Sequence, residues 1–233
     1  MLNTSNCKEN SLDPDLASVA MLLADNKITY WLCHGTLLGL IRDGQLIPWD
    51  HDIDFACWKN AALRTEIMIL MDKNGYRLIH DGDGYDFLIF QGSGKRTIDF
   101  NFYQDNGAGL AYSNWFVSRN KLAGLLLGLE KRVKELKIGS KGISLIFRKL
   151  ILTLFVGLVK ILKSRNLLYR SAGYSTPVHL LDELKDLQIG DISVSIPEKY
   201  ELVLQFLYGS DWKIPNQNYN WVADSVSTIV SKK

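Results

Sequence analysis

Cysteine is scarce in this 233-residue chain: Cys7, Cys33 and Cys57 are odd in number and include no C-x-x-C pair. That argues against a disulfide framework and a cysteine zinc site, and it fits a reducing compartment. Histidine is as thin, with four in the chain, so a zinc centre built on imidazoles is not expected either. Long apolar runs are missing too. The stretch from Leu150 to Val159 stops at ten residues, where a bilayer-crossing helix needs about twenty. The N-terminal MLNTSNCKENSLDPD has no apolar core and carries acids early, so no secretory signal is expected and the active region is expected in the cytoplasm. An excess of one charge is lacking, with 27 Lys and Arg against 25 Asp and Glu for a net +2, and no nucleic-acid partner is expected.

What is there is ordinary for a globular protein, 47% hydrophobic and 22% charged, and it is long enough for one large domain or one domain with a helical appendage. Charge is unevenly spread, because Leu136 to Leu181 holds eight Lys or Arg and no acid. Asp13 before Pro14 reads as a helix cap with proline at the first turn, and Leu16, Val19, Ala20 and Leu23 continue that helix towards Asn26. ITYWLCH, 28–34, reads as a buried strand stopping at Gly35, with a short helix TLLGLIRDG after it. Strands are expected over 52–57 and 76–80, with a helix over 60–74 closed by Gly75. DGDG, then YDFLIFQ, GSGK and RTIDFNFY, reads as an antiparallel hairpin, which makes the sheet mixed. Beyond the QDNGAG loop, apolar stretches at helical lengths dominate, ending in PEKYELVLQFLYG, where Pro197 is expected to open a helix and Gly209 to close it. The layout expected is therefore α+β, with a catalytic core over 1–112 and a mainly helical region over 113–233.

The segment IPWDHDIDFACW, 47–58, places Asp50, Asp52 and Asp54 within five residues. Carboxylates that close repel one another unless a cation or a proton intervenes. On a strand the three acids project to one side and His51, Ile53 and Phe55 to the other; His51 is expected to be packed. TIDFNFY repeats the device at Asp99, so two adjacent strands make a site of three or four carboxylates. Oxygen-only donors suit a hard cation, Mg²⁺ or Mn²⁺, with phosphate oxygens completing its shell. A calcium-binding EF-hand loop would need Gly at Phe55 and Glu at Ala61. An isolated D-x-D also reads as a solvated loop. Upstream, Gly35 permits close approach of a phosphate, the Thr36 hydroxyl can donate to it, and a helix N-terminus adds a favourable field. The plainer alternative is a strand-to-helix turn with Thr36 as its cap.

The order of hydrophobic strand, Gly-Thr, short helix, Asp-x-Asp and a later Asp on a strand resembles the polymerase β type of nucleotidyltransferase fold. More narrowly, HGTLLGLIRDGQLIPWDHDIDF is similar to the signature of the LicD family, the phosphocholine transferases and fukutin-related proteins that decorate glycans from CDP-linked donors. The likeness runs from Tyr30 to Phe55, through TIDFNF, and returns in ISVSIPEKYELVLQFLYGSDWKIP. It implies a mixed sheet with flanking helices, Asp52, Asp54 and Asp99 as metal-binding catalytic acids, Asp50 as a further ligand or an orienter of the others, and Gly35 with Thr36 as the phosphate-contacting turn. Arg42 matches as well; its guanidinium suits a phosphate, and an ion pair with Asp43 is the other reading. Trp49 and Tyr85 read either as stacking faces for cytosine or as wall residues. The zinc-binding insert of the animal fukutin-related enzyme has no counterpart here, the cysteines being too few.

The resemblance implies transfer of a phospho-alcohol, phosphocholine or a polyol phosphate, from a CDP-linked donor to a hydroxyl of a glycan or lipid-linked glycan, with release of CMP. The rival enzymatic reading is transfer of NMP from an NTP to a protein, RNA or small molecule. Residues 143–163, ISLIFRKLILTLFVGLVKILK, read either as a buried helix or as an interfacial helix with peripheral contact to the inner face of the cytoplasmic membrane.

Overall fold

The computed structural model of the chain describes residues 13–81, 86–135, 143–165 and 167–230. Its elements in chain order are α1 (Pro14–Asp25), β1 (Trp31–Leu32), α2 (His34–Arg42), β2 (Asp52–Trp58), α3 (Ala61–Lys73), β3 (Arg77–His80), β4 (Phe87–Gln91), β5 (Thr97–Asp105), β6 (Leu110–Ser118), α4 (Lys121–Glu135), α5 (Ile143–Ser164), β7 (Tyr169–Pro177), β8 (Leu184–Ile189), β9 (Ile192–Pro197), α6 (Tyr200–Tyr208), α7 (Trp221–Asp224) and β10 (Thr228–Val230). The chain divides into two compact units, Met1–Trp115 with Gly173–Ile229, and Phe116–Ala172 with Val230–Lys233.

The first unit is built on a mixed sheet ordered β1-β2-β5-β6-β7-β10, with β4 also against β5 and β3 against β4. β2 and β5 run parallel, while β4 and β5 form the antiparallel hairpin that their turn residues demand. On one face of the β2–β5 pair Ile53, Phe55, Ile98 and Phe100 are fully buried, and Phe100 stacks on Phe55 at 5.4 Å and meets Phe90 edge-on at 5.9 Å. Burial of these side chains drives the pairing, and the period of two sends the acids to the other face. α1 starts where the Asp13 carboxylate accepts from the Asp15 amide at 3.1 Å, and it buries Leu16, Val19, Ala20 and Leu23. Asn60 caps α3 in the same way, accepting from the amides of Ala62 and Leu63.

Several expectations are corrected. The region beyond residue 112 is not helical throughout: β7, β8, β9 and β10 lie in it beside α4, α5, α6 and α7. Its strands were hidden by Ser, Thr and Gly between the apolar positions, as in ISVSIP, where Val194 and Ile196 nonetheless join the core of the first unit. For that reason the compact units do not divide at residue 112: the chain from Gly173 onward supplies core to the first unit. Pro197 ends β9 rather than opening a helix, a position where its missing N–H costs no ladder bond. The strand expected over 28–34 is only Trp31–Leu32, because His34 takes φ +48 and starts α2. His51 is exposed, and Asp50 precedes β2 in a turn closed by its own amide on the Ile47 carbonyl at 3.1 Å. Tyr85 and part of the DGDG turn lie outside the described residues.

Candidate active site

The parallel register sets Asp54 directly beside Asp99, with Asp52 two residues earlier on the same face of β2. Sequence placed these acids on two strands, and the pairing of Ile53 with Ile98 and Phe55 with Phe100 brings them abreast. Asp54 is pinned on several sides. Its amide donates to Thr36 Oγ1 at 2.8 Å, its carbonyl accepts from the Cys33 amide at 3.2 Å, and its Oδ1 accepts from Asn101 Nδ2 at 3.3 Å. Thr36 is buried, so its hydroxyl ties the start of α2 to the acidic strand. Asp50 reaches the cluster from its turn. Its Oδ1 accepts from the His51 amide at 3.1 Å, and its Oδ2 rests where a Cβ on residue 35 would stand. Only glycine admits that approach.

The electrostatics follow from crowding in a buried place. Burial, then the charge and hydrogen bond of Asp50, then Asp99, push the Asp52 carboxyl up to about 8. Asp54 is pushed well above the ordinary carboxylate range by burial and then by Asp52, Asp99 and Asp50. Burial raises Asp99 to about 6, against a lowering hydrogen bond from Thr97. Asp99 Oδ1 is buried and has no hydrogen-bond partner. Crowded, raised carboxylates with an orphaned oxygen are the donor set a hard divalent cation relieves. Among the described residues no three Asp, Glu, His or Cys side chains yet stand in ligating geometry, so an ion here requires the carboxylates to rotate towards it.

Above the acids lies a cavity of about 620 Å³ whose lining includes Asp50, Asp52 and Asp54, Gly35 and Arg42 from α2, and an aromatic wall of Trp49, Tyr174, Tyr208, Trp212, Tyr219 and Trp221. The wall is internally braced. Tyr174 packs on His34 at 4.1 Å and on Trp221 at 5.7 Å, Tyr208 meets Tyr219 at 5.0 Å, and Tyr219 Oη donates to the Leu207 carbonyl at 2.9 Å. Burial holds the His34 imidazole down to about 3, hence neutral, within 3.2 Å of Tyr103 Oη. Burial, then the charge of Asp54, raises the hydroxyls of Tyr174 and Tyr208.

Gly35, Arg42, Trp49, Asp50, Asp52 and Asp54 thus line one cavity, whereas Thr36 and Asp99 are not among its lining residues. Arg42 is engaged by Asp43 through two bonds, Nε to Oδ1 at 2.8 Å and Nη2 to Oδ2 at 2.6 Å, which is the ion-pair reading. Trp49 is 40% exposed and free to offer a face. Sequence reasoning missed Tyr174, Tyr219 and Trp221. Tyr208 and Trp212 stood inside the second family-like segment, yet nothing in their spacing said that they reach the acids.

The family model described as LicD/FKTN/FKRP, nucleotidyltransferase domain, matches residues 27–123. An uncharacterized protein of Rickettsia typhi is 33% identical over 86 residues, 36% of this chain and 26% of that protein. Mannosyltransferase regulator 4 of Saccharomyces cerevisiae is 35% identical over 85 residues, 33% of this chain and 7% of that protein. The chain therefore matches about a quarter or less of the length of these relatives. Among solved structures, a lincosamide antibiotic adenylyltransferase, LnuA, with lincomycin bound, aligns with a TM-score of 0.43 at 14% identity over 84% of this chain and 87% of that one. The matched span covers α2, β2 and β5 with all four acids, so the likeness to the LicD/FKTN/FKRP nucleotidyltransferase domain falls on residues 27–123.

Proposed function

We propose that this domain transfers a phospho-alcohol, phosphocholine or a polyol phosphate, from a CDP-linked donor to a hydroxyl of a cell-surface glycan and releases CMP. The observation that carries the reading is the set of mutually repelling carboxylates from β2 and β5 under an aromatic-walled cavity large enough for a nucleotide. Asp52, Asp54 and Asp99 would hold Mg²⁺ or Mn²⁺, with Asp50 as a fourth oxygen donor or an orienter, and the bound cation supplies neutralisation of charge on the donor's diphosphate. The residues do the rest. Gly35 leaves room for Asp50 and for a phosphate at the start of α2. Trp49, at the rim, offers its face to cytosine. Arg42, on the cavity wall, offers its guanidinium to phosphate at the cost of its pair with Asp43. The acceptor oxygen bonds to the distal phosphorus, the bond to CMP breaks, and the hydroxyl proton passes to a carboxylate of the cluster.

Incubation with CDP-choline, or with ATP or CTP, plus a divalent cation and a glycan acceptor tests the reading. CMP release from CDP-choline that depends on the cation is the expected result. Pyrophosphate release from an NTP, with CDP-choline left intact, would assign the same acids to NMP transfer instead.

A further inference from the structure

The second compact unit, Phe116–Ala172 with Val230–Lys233, contains α4 and α5. The two helices pack on one another through Ala123 and Val159, joined by Leu168 from the chain after α5, with Leu126, Phe155 and Leu162 against them. That small core uses one stripe of each helix and leaves another in solvent. On α4, Leu122, Leu125 and Leu129 recur at helical spacing and are 65%, 60% and 40% exposed. On α5, Leu154, Leu158 and Ile161 do the same at 64%, 54% and 52%. Single exposed leucines are normal, but six in two ordered stripes mark an interaction surface.

Charge is segregated with them. Residues 116–172 carry thirteen Lys or Arg and two acids, Glu130 and Glu135, a net +11 in a chain whose total is +2, which leaves −9 on the rest. Lys121 on α4 and Lys160 on α5 are exposed beside the leucines. Among the described residues no helix is long and apolar enough to cross a membrane. An apolar stripe that needs a nonaqueous partner, flanked by cations that need anions, fits the boundary layer of a lipid leaflet; a soluble polyanion would leave the leucines in water.

We infer that the α4–α5 pair is a docking element for an anionic lipid surface, with both leucine stripes among the upper acyl chains and the lysines and arginines at the headgroup phosphates. The surface includes α4 as well as the basic apolar segment 143–163. It is independent of the reaction assigned to the nucleotidyltransferase domain.

Flotation of the 233-residue chain with phosphatidylcholine vesicles, with or without phosphatidylglycerol, tests it, alongside binding to single-stranded RNA. Wild type is expected to float with the anionic vesicles and to stay behind with phosphatidylcholine alone. A Leu125→Gln, Leu158→Gln variant alters only exposed positions, and its circular-dichroism melt should match wild type. Its partitioning should fall about tenfold or more. Lys121→Glu with Lys160→Glu provides a second variant, expected to lose binding most at low salt. Failure of wild type to float, equal flotation by the leucine variant, or tighter binding to RNA than to the vesicles would each overturn the assignment.

Discussion

At Gly35 a single hydrogen decides whether Asp50 belongs to the site. A methyl there would collide with the Asp50 carboxylate, the end of a side chain that can swing away. Gly35→Ala is therefore expected to fold with nearly unchanged melting temperature and to lose about tenfold or more in transfer, because the displaced acid no longer orients its neighbours; equal turnover in a CMP-release assay would separate Asp50 from the chemistry. Thr36 acts differently, since its hydroxyl receives the buried Asp54 amide. Thr36→Val leaves that amide unsatisfied and should cost about 1–3 kcal/mol in denaturant unfolding, with Thr36→Ser close to wild type. Asp52 sets a dependence on pH. Its carboxyl is raised from 3.8 to about 8 in the folded chain, so the cation-free native state binds the proton more tightly than the unfolded state, and this contribution to stability is lost as pH rises from about 4 to about 8. With chelator present, the stability of Asp52→Asn relative to wild type should increase over that window while transfer falls at least about a hundredfold. A constant difference in melting temperature from pH 4 to pH 8 would remove the repulsion argument.

Elements bounded by strong punctuation were legible in the sequence. Asp13-Pro14 starts α1, Asn60 caps α3 and Gly75 follows its end at φ +84, each for a local reason that needs no partner. Asn60→Ala should lose about 1 kcal/mol of stability and leave transfer untouched, measured side by side in one denaturant series. β2 and β5 were readable because their apolar residues alternate cleanly with acids. β1 was not. Its last expected residue, His34, adopts φ +48 between Tyr103 and Tyr174, a conformation imposed by tertiary packing that no propensity announces. β8 and β9 escaped because a two-residue turn at Gly190, φ +56, separates short runs rich in charge and serine.

For the whole molecule, the acids were visible in sequence because β2 carries its own alternation, and their convergence required only that β5 pair in register. The aromatic wall was not visible. Tyr174, Tyr219 and Trp221 lie more than a hundred residues beyond Asp50, Asp52 and Asp54 and reach the cavity through the return of the chain at Gly173, a long-range closure with no local signature. The central claim is that carboxylates from two neighbouring strands jointly hold a divalent cation against a nucleotide diphosphate. Electron paramagnetic resonance titration of Mn²⁺ in the presence of CDP-choline tests it most directly, comparing wild type with Asp52→Asn and Asp99→Asn. The account predicts tight, donor-dependent Mn²⁺ binding by wild type and a loss of about tenfold or more in affinity from a substitution on either strand. Unchanged Mn²⁺ binding in Asp99→Asn would contradict it.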